Sequence, residues 1–64
     1  MKILCIKDLY KSTYLGLAFK SGNYYEIVSE DDEFIFIKDE KNYNFNFAKI
    51  ANNTYYNLEE YMAY

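Results

Sequence analysis

Sixty-four residues and 7.7 kDa set a limit of one small domain, residues 1–64, and ten acids against seven bases leave a formal charge of −3. Hydrophobic residues make up 52% of the chain and aromatics 22%, which excludes intrinsic disorder. His, Arg, Trp, Pro and Gln are absent, so His-dependent catalytic triads, His-containing zinc sites and bidentate Arg clamps are excluded as well.

Ile3-Leu4-Cys5-Ile6 is a short apolar run between Lys2 and Lys7, of strand rather than helix length. Asp8 to Thr13 is polar and reads as a loop carrying Tyr10. Tyr14 to Phe19 is apolar again but contains Gly16, the mark of an irregular or bulged extended segment. Ser21-Gly22-Asn23 is a turn signal. Tyr24 to Val28 is rich in β-formers and runs into the acidic cluster Glu30-Asp31-Asp32-Glu33.

Phe34-Ile35-Phe36-Ile37 is the strongest strand, and four bulky residues in a row predict one covered on both faces. Asp39 to Asn42 is a hairpin connection in which Asn42 takes the left-handed position. Beyond it Tyr43, Phe45 and Phe47 alternate with Asn42, Asn44 and Asn46, which predicts aromatics to the core and amides to water. Thr54-Tyr55-Tyr56 is a last short strand. Asn57 and Glu60 have the spacing of a capping box, and Leu58, Tyr61 and Met62 share one face of a helical turn from Leu58 to about Ala63.

A chain of this size buries only about 60% of the surface that its unfolded form exposes. A lone Cys5 offers no intrachain disulfide and no Cys/His cluster offers a structural metal, so Phe and Tyr must supply the core, with a homodimer as the other remedy. No apolar run has the length of a membrane span or a signal peptide, and a single thiol fits a reducing compartment. A cytoplasmic protein is expected. Residues 1–20 carry four lysines against Asp8, or +3, while residues 21–64 carry three lysines against nine acids, or −6. An acidic majority disfavours nucleic-acid phosphate.

These segments predict a mainly β fold, a small five-stranded SH3-like barrel over about residues 1–57 with a short helical turn in the tail, 58–64. The residues also resemble short proteins of low-GC Gram-positive bacteria and their phages. Met1-Lys2-Ile3-Leu4-Cys5-Ile6 matches the opening of that family, and Gly22-Asn23-Tyr24-Tyr25-Glu26-Ile27 its second signature, with Asn23 where Lys is usual. Glu30 to Ile37 matches its acidic turn and third strand. The resemblance covers roughly residues 1–48, implies an SH3-like fold and an origin in a phage or mobile element, and carries no catalytic residue across.

No pair of groups is poised for catalysis, so no enzyme, cofactor or metal is expected. Cys5 sits in an apolar strand with no His to activate it and reads as a buried, inert thiol. Glu30–Glu33 lacks the alternating ligands and the glycine of a calcium loop and reads as a solvated turn; with Asp39 and Glu40 it would form a negative patch for a basic partner. Tyr25, Phe34 or Phe36, Phe45 and Phe47 are expected in the core. Tyr10, Tyr14, Tyr55, Tyr56, Tyr61 and Tyr64 exceed what the core holds, so several mark an interaction surface. Tyr10 and Tyr14 beside an acidic loop are reminiscent of a polyproline-II groove, without its usual Trp.

The expected function is therefore a protein–protein interaction module, with Tyr10, Tyr14, Glu30, Asp31, Asp32, Glu33, Tyr55, Tyr56, Tyr61 and Tyr64 as its contact residues. Its concrete form is an inhibitor of a host defence protein, of the anti-CRISPR kind, that covers a basic nucleic-acid-binding surface. The alternatives are a barrel that binds single-stranded nucleic acid through Lys2, Lys7, Lys11 and Lys20 with tyrosines, and a homodimeric regulatory module.

Overall fold

Strand β5 (Phe34–Lys38) lies near the middle of the sheet, and its side chains alternate. In the computed structural model, which describes residues 1–12, 16–51 and 54–63, Ile35 and Ile37 point inward and are fully buried. Phe34 and Phe36 emerge on the other face, half-buried, with ring centres 6.0 Å apart. The expectation of a strand covered on both faces holds only in part, since the outer face is half-buried, and that of Phe34 or Phe36 in the core is corrected. The two-residue period allows one inward set only, and the isoleucines occupy it.

On one side β5 pairs antiparallel with β6 (Asn44–Ala51) and on the other with β4 (Tyr24–Glu30). The sheet continues from β4 to β1 (Lys2–Cys5) and from β1 to β8 (Met62–Ala63), while β7 (Thr54–Tyr55) adds to the far end of β6. The result is a curled six-stranded sheet in the order β7-β6-β5-β4-β1-β8, a half-barrel. A register shift between Ile27 and Ser29 bends β4. A separate hairpin of β2 (Leu9–Ser12) and β3 (Gly16–Phe19) packs over it, and one helical turn, α1 (Leu58–Tyr61), precedes β8. Among the described residues there are eight strands where five were predicted.

Phe19, at the end of β3, is the hub of the core. It is fully buried and meets Tyr25 and Phe45 edge-on at 4.8 and 5.3 Å, with Phe47 at 6.2 Å. Tyr25 and Phe47 are buried as expected, and Phe45 is partly buried against them. Tyr43 is exposed, because it precedes β6 and lies on the turn, where the Lys11 ammonium stands 5.0 Å from its ring. The aromatic alternation therefore reaches the core only from Phe45 onward.

Two turns follow from residue chemistry. The Asn23 N–H donates to Lys20 O across a turn whose third residue, Gly22, has φ 92°, a conformation in which a side chain would be strained. Asn42 takes φ 64°, the left-handed position expected of it. The β5–β6 turn holding Asn42 also fastens the hairpin to the sheet. Buried Asp39 accepts the Lys41 and Tyr43 N–H groups at 2.9 and 3.0 Å and pairs with Lys11 of β2 at 2.9 Å. Next to it, the Glu40 N–H donates to Ala18 O of β3, and the Glu40 carboxylate accepts from Asn23 and from the Tyr25 hydroxyl.

Residues 8–13, expected as a loop, contain β2; a hairpin partner four to ten residues downstream supplies its ladder. The tail is also corrected. The helical turn ends at Tyr61, and Met62–Ala63 pairs with Cys5 and Leu4 of β1. Leu58 and Met62 are both buried, so these residues belong to the core. Asn57 makes no side-chain cap bond, because its left-handed backbone (φ 62°) differs from the extended geometry of a capping residue.

Candidate functional site

The open side of β6 faces a groove of about 340 Å³. β5 contributes Phe34 from the outer face of the sheet, and β6 contributes Phe45, Asn46, Phe47 and Ala48. Leu9 of β2 forms one wall; Tyr56, Asn57 and Tyr61 form the other. The pieces are held by backbone. The Tyr56 N–H donates to Ala48 O at 2.7 Å, and the Ile6 N–H donates to Tyr61 O at 2.7 Å. Lys7 then bridges the wall, 2.9 Å from Glu60 and 5.5 Å from the centre of the Tyr61 ring. Tyr61 is thus fixed, whereas Tyr56 stands exposed.

The lysines near this groove are engaged. Lys7 pairs with Glu60, whose carboxylate holds the ammonium above its ordinary pKa, first through the hydrogen bond and then through charge. Lys11 pairs with Asp39, and Lys49 lies 3.6 Å from Glu30 and 5.7 Å from the Tyr55 ring centre. Lys2 and Lys20 lie elsewhere, on β1 opposite Glu26 and just after β3. The four lysines proposed for nucleic acid are spread over four elements or connections.

In the acidic run, Glu30 closes β4 and Asp31 to Glu33 form the turn into β5. The Asp31 carboxylate accepts the N–H groups of Glu33 and Phe34, each at 2.8 Å, and these bonds lower its pKa. Asp39 and Glu40 follow the opposite end of β5, about 17 Å away along a five-residue strand. No shared acidic patch forms. Asp39 is buried as well.

Of the tyrosines expected on a surface, Tyr56 and Tyr61 line the groove and Tyr10 is exposed on β2 beside it. Tyr55 is corrected: it is buried, because β7 turns it inward while Tyr56 turns out. Tyr14 and Tyr64 lie outside the described residues. Leu9, Phe34, Phe45, Phe47 and the amides of Asn46 and Asn57 were not singled out as site residues by sequence reasoning. One signal was present: a strand with bulky residues at every position has more apolar surface than one core face can take, which leaves Phe34 and Phe36 facing outward.

Cys5 is fully buried, with its Sγ donating to Lys7 O at 3.1 Å. Burial pushes its thiol above the ordinary 9.0, and the charges of Asp8 and Glu40 add to that, against the backbone hydrogen bond. Iodoacetamide at neutral pH is expected to alkylate Cys5 only in denaturant; mass spectrometry showing rapid labelling of the native protein would contradict the buried placement. Among the described residues no group of three acids or cysteines is placed to hold a metal, and no helix is long and apolar enough to cross a membrane.

No family model, no curated protein and no solved structure matches this chain.

Proposed function

We propose that the protein is a non-enzymatic protein–protein interaction module on an SH3-like frame, with the groove beside β6 as its working surface. The order of elements supports the frame. A hairpin excursion follows β1, a meander of β4, β5 and β6 comes next, and a helical turn leads β8 back onto β1. The observation that carries the function is the groove itself, an open depression at the edge of the sheet lined by Phe45 and Phe47 from its concave face, by Phe34 from its outer face, and by Leu9, Tyr56 and Tyr61. Rigid aromatic rings with amides at the edge suit a protein segment, since they give contact area at low entropic cost.

Asp32, Glu33 and Glu59, within two residues of the lining along the chain, are exposed. They suit a partner with a basic surface, such as the nucleic-acid channel of a host defence protein. Phage or mobile-element origin and an inhibitory role, implied by the family resemblance, belong to the same proposal. The engagement of Lys7, Lys11 and Lys49 in ion pairs favours this reading over single-stranded nucleic acid.

Affinity capture from host lysate tests it, with the intact chain beside Tyr56→Ala and Phe34→Ala. Both variants are expected to keep the native circular dichroism spectrum and to retain at least about tenfold less of the same partner. Equal retention by all three would remove the groove as the working surface. Tight, salt-sensitive binding of single-stranded oligonucleotides would replace the proposal by its alternative.

A further inference from the structure

The backbone hydrogen bonds fix which way each residue of β6 faces. The Asp39 N–H donates to Tyr43 O and the Lys49 N–H donates to Glu33 O, so the odd-numbered residues of this stretch bond toward β5. Asn44, Asn46 and Ala48 therefore point their N–H and C=O groups away from β5. Ala48 meets the segment beyond β7, since its carbonyl accepts the Tyr56 N–H. β7 itself pairs only with Lys49 and Ala51. Among the described residues nothing pairs with the backbone of Asn44 or Asn46, and both residues are exposed.

This open edge and the groove are one place, because Asn46 lines the groove. An added strand laid along residues 44–46 would alternate its side chains, one set over the concave aromatics Phe45 and Phe47, the other on the outer face, where Phe36 and Lys38 stand opposite Asn46 and Asn44. The surrounding charge selects the occupant. Lys7, Lys11 and Lys49, within two residues of the lining, are each in an ion pair. Asp8, Asp32, Glu33 and Glu59, equally near along the chain and exposed, have no ion pair among the described residues and outnumber Lys38, the one lysine without an ion pair that stands opposite the edge, across from Asn44.

We infer that the segment received here is a basic, extended strand of a partner protein that pairs through its backbone with Asn44 and Asn46; the inference rests on the groove reading above. Strand addition draws affinity from main-chain hydrogen bonds and specificity from alternate side chains. A polyproline-II ligand would use the same aromatic floor without a backbone ladder.

The test uses the full chain labelled with nitrogen-15 and a peptide of about eight residues alternating Lys and Val, a usual strand length. In the free protein the Asn44 and Asn46 amides are expected to exchange with solvent at least about tenfold faster than those of Phe45 and Phe47. The peptide should slow them. N-methylating its edge-facing residues should weaken binding by at least about tenfold, and N-methylating the other alternate set should weaken it far less. A Glu–Val peptide that binds equally well would overturn the basic character of the strand. A basic proline-rich peptide that shifts Phe34 and Tyr56 without protecting Asn44 and Asn46 would overturn strand addition and leave the groove reading standing. Protection that grows with protein concentration and no peptide would assign the edge to a second copy instead. If neither peptide binds, strand addition falls; if lysate capture also shows no dependence on Tyr56 and Phe34, the groove reading falls with it.

Discussion

Replacing Phe19 by Ala is expected to cost about 3–5 kcal/mol, enough to leave much of the chain unfolded at room temperature. The whole domain is held by only about 3–10 kcal/mol at the usual stability per residue. Phe19 is where the small hairpin sheet meets the large one: its ring contacts Tyr25 of β4 and Phe45 and Phe47 of β6, and none of it reaches solvent. Removing it leaves a cavity whose walls belong to three strands that cannot all close inward, because two are pinned in the sheet. Phe19→Leu keeps most of the volume and should cost less than about 1.5 kcal/mol. Urea denaturation followed by circular dichroism reads both. A loss below about 1 kcal/mol for Phe19→Ala would show that the hairpin contributes little to the core.

The second large effect concerns Asp39. Asp39→Ala is expected to cost about 2–3 kcal/mol, since it strips an acceptor from two backbone N–H groups and the partner from Lys11. The figure stays below that for a fully buried pair because Lys11 is partly exposed and can return to water. The same contact predicts a pH response. Burial pushes the Asp39 carboxyl up, but the Lys11 hydrogen bond, the Tyr43 and Lys41 N–H groups and the Lys11 charge outweigh it and leave the group below its ordinary 3.8.

A depressed carboxylate stabilises the fold at every pH above its unfolded value and loses that stabilisation as pH falls through the folded one. Urea midpoints should therefore drop as pH is lowered from about 5 to 2. Asp39→Asn keeps an acceptor oxygen but not the charge, so its midpoint should start lower and fall less steeply. Asp31 and Glu40 are depressed too and leave the variant some slope. Parallel slopes for the two proteins would show that acid acts elsewhere.

This clasp matters to the groove. Asp39 holds β2 through Lys11, and β2 carries Leu9, one wall of the depression. Weakened partner capture by Asp39→Ala would thus accompany its loss of stability, whereas Tyr56→Ala separates the two, because Tyr56 is exposed and its loss opens no cavity.

Much of the fold was legible where a few adjacent residues decide the outcome. Gly22 and Asn42 mark turns because their own backbones tolerate positive φ. Tyr25, Phe47 and Cys5 are buried where strand periodicity puts them. Near-identical local sequence hides the rest. Tyr55 and Tyr56 are neighbours of one type, and only the contact of β7 with β6 decides that the first is core and the second is groove wall. Asn57 and Glu60 have the spacing of a cap, but the chain must turn sharply after β7, and the left-handed backbone that achieves this takes Asn57 out of capping geometry.

The sequence by itself determined that this is one small, aromatic-rich, mainly β domain with its turns at Gly22 and Asn42. Tertiary structure alone decided that Met62–Ala63 returns to Leu4 and Cys5 as a strand, that Asp39 is buried against Lys11, and that the backbone of Asn44 and Asn46 has no partner among the described residues beside an aromatic groove. The physical reason is range. Turn preferences and side-chain alternation act over a few residues, whereas a strand's partner and a side chain's burial depend on segments up to some sixty residues away, brought together only when the whole core forms.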